Sequence, residues 1–284
     1  MVTRVTIIFL ISGEYIKTFL AKDCLSSVKL IKVNWRRKFS SSLNKITSMV
    51  RRFSVLVALL FVFISGCESS QPMNIELEEI LPKTYSYLAL GDSYTIGQGV
   101  AEQDRYPNQL KDSLAKADLA IDEMLIIART GWTTDELSAG IDNATVTPIY
   151  DLVTLLIGVN NQYRGRSLDN YREEFSALLN RAIGFAGGES EKVVVLSIPD
   201  WGVTPFAHGR DREKIAREID AFNAINLDES QKAGVSYIDV TEISRLASNR
   251  PELLATDGLH PSGLMYKLWV DELFPVAFQI LKNQ

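Results

Sequence analysis

From Tyr85 onward, short apolar runs alternate with longer stretches whose apolar residues recur three and four positions apart. The short runs read as strands buried on both faces and the longer stretches as amphipathic helices. The pattern predicts strands over Ser86 to Leu90, Met124 to Ala128, Leu152 to Gly158, Lys192 to Ile198 and Val235 to Val240. Helices are predicted near Tyr106 to Lys116, Thr134 to Ile141, Asn170 to Phe185, Asp211 to Lys232 and Gly263 to Lys282. Five strands alternating with helices imply an α/β fold, with a parallel sheet covered on both faces by right-handed crossovers. With neither an internal repeat nor a second linker, residues 85–284 read as one domain.

The pattern ahead of Tyr85 is different. Residues 1–48 carry two weak apolar patches, Val5 to Ile11 and Ser27 to Ile31, with no sustained period, and no domain is read there. Met49-Val50-Arg51-Arg52 then leads into a run from Phe53 to Ile64 that is apolar apart from Ser54, followed by Ser65-Gly66-Cys67 and the polar Glu68-Ser69-Ser70. A basic start, a short apolar run and small residues at the cut describe a secretory signal, and the run falls short of the ~20 residues that span a bilayer. Ile64-Ser65-Gly66-Cys67 also resembles the bacterial lipobox, which makes Cys67 the expected lipidation site. Acyl chains there would anchor the protein, each buried methylene adding about 0.8 kcal/mol of membrane affinity. A signal normally opens a chain, so translation is expected to begin at Met49. The expected organisation is a non-native extension over 1–48, a lipoprotein signal peptide over 49–66, a solvated tether over 67–84 and the domain over 85–284. The protein is expected to be exported and lipid-anchored at the cell envelope.

Charge and composition narrow the function. Residues 1–66 hold 11 basic and 2 acidic side chains, a net +9, whereas 19 basic against 33 acidic leave residues 67–284 at −14. An acidic domain is a poor partner for nucleic acid phosphates. The two cysteines, Cys24 and Cys67, both precede the domain, and His208 and His260 are the chain's two histidines. A disulfide framework and a Cys- or His-rich metal site are therefore excluded from the domain, and no metal or other cofactor is expected.

Four short blocks fall at predicted strand ends, where open α/β sheets bind ligands. Gly91-Asp92-Ser93 ends the first strand, Gly131 follows the second, and Gly158-Val159-Asn160-Asn161 follows the third. Near the C-terminus, Asp257-Gly258-Leu259-His260 puts a carboxylate and an imidazole within reach on one turn. Each block alone has an ordinary reading: a turn serine, a turn glycine, a capping asparagine, a surface ion pair. Together they supply a nucleophile, an oriented base, and the backbone and amide donors that stabilise an oxyanion. His208 is the rival base, but of the nearby carboxylates only Asp211 has a helpful spacing, which favours His260.

The set resembles the four ordered blocks of the SGNH (GDSL-like) hydrolase superfamily over about residues 85–275. The resemblance implies a flavodoxin-like α/β/α three-layer sandwich with strand order 2-1-3-4-5. It implies Ser93 as nucleophile, His260 as base oriented by Asp257, and an oxyanion hole from the Ser93 backbone, Gly131 and Asn160. It further implies acyl-enzyme hydrolysis of small lipid or carbohydrate esters, short acyl or acetyl esters among them. Tyr94 stands where the family often has leucine, and Asn161 where it usually has aspartate. Both are expected beside the pocket, along with Trp132, Tyr163 and Trp201, with Arg164 approaching nearby. Lysophospholipase or thioesterase activity and a non-catalytic envelope-binding role on the same fold are the alternative readings.

Overall fold

Five parallel strands form the centre of the folded unit that holds residues 84–284: β1 (Thr84–Gly91), β2 (Ala120–Ala128), β3 (Leu152–Leu156), β4 (Val193–Leu196) and β5 (Ser236–Ile238). The computed structural model describes residues 83–146 and 149–284, with the backbone of 10–12 and 15–17. The chain divides into two units, Met1–Ile75 and Glu76–Gln284. In the first, Leu10–Ser12 pairs antiparallel with Tyr15–Lys17. Cys67, the signal over 49–66 and nearly all of the tether lie outside the described residues.

The sheet order is β2-β1-β3-β4-β5, all parallel, which is the expected 2-1-3-4-5. β3 and β4 are buried along their whole length, as their largely apolar sequences require of interior strands. Thr154 is the one polar residue of β3, and its hydroxyl is met by those of Tyr87 at 2.9 Å and Tyr106 at 3.2 Å. β2 lies at the sheet edge and starts four residues earlier than the periodicity predicts, because Asp122 and Glu123 interrupt the apolar run. Charged residues are tolerated on an edge strand, where they also discourage further strand pairing.

Among the described residues the α-helices are α1 (Ser93–Ile96), α2 (Tyr106–Ala115), α3 (Thr134–Asp142), α4 (Val159–Tyr163), α5 (Leu168–Phe185), α6 (Arg212–Ala233), α7 (Thr241–Arg245) and α8 (Gly263–Lys282). Right-handed crossovers send the β1-to-β2 connection and the three later connections to opposite faces, because the chain reverses direction after β2. Accordingly α2 packs on α8, while α3 packs on α5 and α5 on α6, giving the three-layer sandwich. Caps set several boundaries. Ser167 accepts from the Asn170 N–H at 3.3 Å and starts α5 two residues before the predicted point. Ser262 likewise caps α8 through the Met265 N–H. The single-turn helices α1, α4 and α7 are too short to show a periodicity in sequence.

The face between the sheet and the α2–α8 layer is aromatic. Trp269 and Tyr266 lie edge to face with centroids 5.0 Å apart, and Tyr106 and Tyr94 each lie 6.3 Å from Trp269. Such rings bury large apolar areas and favour tilted contacts. The Tyr266 hydroxyl donates to the Tyr94 carbonyl at 2.9 Å, tying the last helix to the turn after β1. That bond joins residues 172 apart in sequence and sets the spacing between the two ends of the site.

Candidate active site

The turn after β1 is built around Asp92. Its Oδ1 accepts from the Tyr94 N–H at 3.0 Å, which caps α1 and starts the turn at Ser93. Asp92 is fully buried with no cation paired to it among the described residues. Burial pushes its carboxyl up to about 7, with the backbone N–H groups of Tyr94 and of Asp92 itself pulling the other way.

The histidine is presented by a frame ahead of α8. Leu254 and Pro261 form an antiparallel bridge, and the Ala255 N–H donates to the His260 carbonyl at 2.8 Å. Inside the frame, Asp257 Oδ1 accepts from the N–H groups of Leu259 and His260, both at 3.0 Å. Its Oδ2 lies 2.7 Å from His260 Nδ1. Burial raises the Asp257 carboxyl, but hydrogen bonds from the His260 ring and the two N–H groups outweigh it and hold the group below its ordinary value. A carboxylate accepting at Nδ1 assigns the proton there and leaves Nε2 as the acceptor. The Tyr94 ring meets the His260 ring edge-on, with centroids 5.6 Å apart. Burial, and after it the carboxylates of Asp92, Asp200 and Asp257, raise the Tyr94 hydroxyl above its usual range, so it stays protonated.

The donors come from the ends of β2 and β3. Gly131 has φ of +86°, a left-handed backbone that side chains rarely adopt. Its carbonyl accepts from Arg164 Nη2 at 2.6 Å, which fixes the peptide from the α4 side. Asn160 Nδ2 donates to the Trp132 carbonyl at 2.9 Å and lies 3.5 Å from Asp92 Oδ2. The two loops are thus stitched together at consecutive carbonyls. The described hydrogen bonds leave the backbone N–H groups of Ser93 and Gly131 untaken.

These groups share one cavity of about 190 Å³, lined by Ser93, Tyr94, Thr130, Gly131, Val159, Asn160, Tyr163, Trp201, Phe206, Leu259 and His260. Ser93 and His260 are only 5% and 8% exposed, so the cavity is the way in to both. Of the expected residues, Ser93, Tyr94, Gly131, Asn160, Tyr163, Trp201 and His260 line it, and Asp257 stands behind His260.

Two expected pocket residues are elsewhere. The Trp132 ring packs against α3, so close to Gly140 that a Cβ there would lie 2.2 Å from it, and only its carbonyl turns to the site. Asn161 is fully buried and serves the scaffold: its Oδ1 accepts from the Thr134 N–H at 3.1 Å and its Nδ2 donates to Thr134 Oγ1 at 2.6 Å. The amide supplies both an acceptor and a donor to α3, which an aspartate in its ionised form does not. His208 is exposed and does not line the cavity. Among the described residues, no three His, Cys, Asp or Glu side chains converge into a metal site.

Sequence reasoning missed Thr130, Val159 and Leu259 as lining residues, although the latter two sit inside the blocks it singled out. It also missed the anchor of Trp201, whose Nε1 donates to Gln162 Oε1 at 2.8 Å. Gln162 in turn donates to Glu218 at 2.7 Å, so α4 and α6 together hold the aromatic wall. No short motif marks that pairing in the sequence.

Compared with known proteins, residues 89–268 match the GDSL-like lipase/acylhydrolase family. No curated protein matches the chain. Among solved structures, a lipase/acylhydrolase from Enterococcus faecalis is 20% identical, with a TM-score of 0.55 over 70% of this chain and 96% of that one. The esterase EstA from a Pseudoalteromonas species is 17% identical, with a TM-score of 0.53 over 70% of this chain and all of that one. The acetylxylan esterase Axe2 from Geobacillus stearothermophilus is 17% identical, with a TM-score of 0.53 over 69% of this chain and 94% of that one. At these identities the likeness establishes a common fold.

Proposed function

The chain belongs to the GDSL-like lipase/acylhydrolase family and is an ester hydrolase, and from that premise we propose that it cleaves small carboxylic esters by two-step acyl transfer at Ser93. His260 Nε2 takes the Ser93 proton as the hydroxyl attacks the ester carbonyl, and Asp257 holds the imidazole in the required tautomer. The N–H groups of Ser93 and Gly131 and the Asn160 amide receive the charge that develops on the carbonyl oxygen. His260 then gives its proton to the departing alcohol, and water repeats the sequence to release the acid.

The observation that carries this reading is the shared cavity: Ser93, His260, Gly131 and Asn160, drawn from four separate stretches of the chain, line a single hollow. At about 190 Å³ the cavity is smaller than the ~300–1,000 Å³ of pockets that enclose drug-sized ligands. Its walls of Val159, Tyr163, Trp201, Phe206 and Leu259 are apolar over most of their surface. Both features favour an acetyl or short acyl group. On the motif around Cys67, the mature enzyme is proposed to be exported and lipid-anchored at the cell envelope.

Nitrophenyl esters of graded chain length, assayed beside acetylated sugars, test the reading. Short esters should be turned over fastest, a fluorophosphonate should label Ser93, and Ser93→Ala should abolish both reactions. Full activity in Ser93→Ala would refute the nucleophile.

A further inference from the structure

The rim of the cavity carries a cation that the hydrolytic steps leave unused. The Arg210 guanidinium lies across three aromatic rings, 5.1 Å from the centroid of Tyr163, 5.3 Å from Trp201 and 5.7 Å from Phe206. Its Nη2 donates to the Tyr163 hydroxyl at 3.0 Å. All three rings line the catalytic cavity. Tyr163, Trp201 and Arg210 also line a neighbouring open hollow of about 310 Å³, so the aromatic wall separates the charge from the reacting centre by the thickness of a ring.

Carboxylates near Arg210 are committed elsewhere. Asp211 turns to cap α6 by accepting from the Lys214 N–H at 2.9 Å. Glu218 accepts from Gln162 at 2.7 Å and faces Lys214 Nζ at 3.7 Å. Among the described residues no acidic side chain is paired with Arg210. A guanidinium offers five N–H donors in a plane, and with one engaged by Tyr163 the rest are open to a bidentate oxyanion. Stacking on the rings restrains the side chain before any ligand arrives, which reduces the ordering a ligand must impose. The wall beneath it is itself fixed, since Trp201 is tethered through Gln162 to α6.

Resting on the ester-hydrolase reading above, we propose that Arg210 and its aromatic seat form an anion subsite at the mouth of the active site. The ester cleaved there carries a phosphoryl or carboxylate group on its alcohol part. The short acyl group occupies the apolar cavity, and the alcohol turns outward over Tyr163 and Phe206, whose exposed rings lead from the cavity to the guanidinium. Arg210 is thus a specificity residue that acts on binding and takes no part in proton transfer.

The test compares three butyrate esters, of glycerol 3-phosphate, of glycerate and of glycerol, with the wild-type protein, Arg210→Lys and Arg210→Gln. The wild type should show higher kcat/KM on one or both anionic esters than on the neutral one. Whichever anion leads identifies the group as phosphoryl or carboxylate. Arg210→Gln should lower that preference about tenfold, through KM, and Arg210→Lys should retain part of it, as expected for one charge-assisted contact at a solvated rim. The wild-type preference should also weaken as salt is raised, because such attraction is screened within about 10 Å at 0.1 M. A strut that merely props the aromatic wall would lower all three esters alike. Equal losses on all three, or a wild type without preference, would overturn the subsite while leaving the hydrolase reading intact. Turnover of none of the three would overturn both.

Discussion

Raising the pH from 5 to 8 should weaken the fold through one buried carboxyl, Asp92. An ordinary aspartate titrates at 3.8, whereas burial in the turn beside Ser93 moves this one to about 7, a difference of about three units. Each unit corresponds to about 1.4 kcal/mol, so full ionisation inside the fold costs about 4 kcal/mol relative to the unfolded chain. Below about pH 4 both states hold the proton and the term vanishes. Between pH 4 and 7 the native state keeps a proton that the unfolded chain releases, so stability falls by about 1.4 kcal/mol per pH unit. Above pH 7 both are ionised and the full penalty remains. Asp92→Asn removes the titration while keeping a side-chain carbonyl for the Tyr94 N–H, and it serves as the internal reference for every other group that titrates. The stability gap between wild type and variant should therefore shift by about 3 kcal/mol in the variant's favour from pH 5 to pH 8. With urea m-values of about 1–3 kcal/mol/M, the relative unfolding midpoints should move by roughly 1–3 M. Midpoints that track one another in parallel across this range would refute the argument. They would mean that the turn's N–H groups hold Asp92 ionised despite its burial.

Two further outcomes follow from the geometry. Asn160→Ala removes a side-chain amide from the cavity wall and should lower kcat about 10²–10³-fold with a smaller change in KM, the usual cost of one oxyanion donor. A proportional rise in KM with unchanged kcat would instead assign the amide to ground-state binding. Gly158→Ala should destabilise the domain by about 2–5 kcal/mol in urea unfolding, combining backbone strain with overpacking. Gly158 has φ of +128°, and a Cβ there would lie 2.3 Å from the Tyr171 hydroxyl, which sits 2.7 Å from Asn226 Oδ1 and 3.0 Å from the Ile157 carbonyl. A loss below 1 kcal/mol would show that the β3–α4 elbow relaxes freely.

Much of the architecture was legible in the order of residues. Interior strands β1, β3 and β4 are mostly apolar because both faces are covered, and the longer helices show their period and their caps. The five-strand alternation, combined with the handedness of crossovers, restricts the topology to very few choices, of which the chain takes 2-1-3-4-5. The four blocks could be read as one chemical set because each falls where a strand runs out, at the single rim an open parallel sheet offers to a ligand. Edge strand β2 extends beyond its apolar run for a physical reason: its outer side meets water, so Asp122 and Glu123 interrupt the apolar signal without ending the pairing.

Which way the neighbouring side chains face was decided only by the tertiary structure. Trp132 and Asn161 sit within one residue of the donors Gly131 and Asn160, yet one packs its ring on α3 and the other bonds Thr134. In an irregular turn no fixed period links adjacent residues to a face, so orientation follows from long-range partners such as Arg164 on Gly131 and Tyr266 on Tyr94. The aromatic wall and its guanidinium have the same origin, because Tyr163 ends α4 whereas Trp201, Phe206 and Arg210 come from the β4–α6 connection, and the two stretches meet only through the packing of the sheet. Local sequence thus determined the elements and the chemical groups at their ends. Packing between elements distant in the chain determined which of those groups turn toward the cavity.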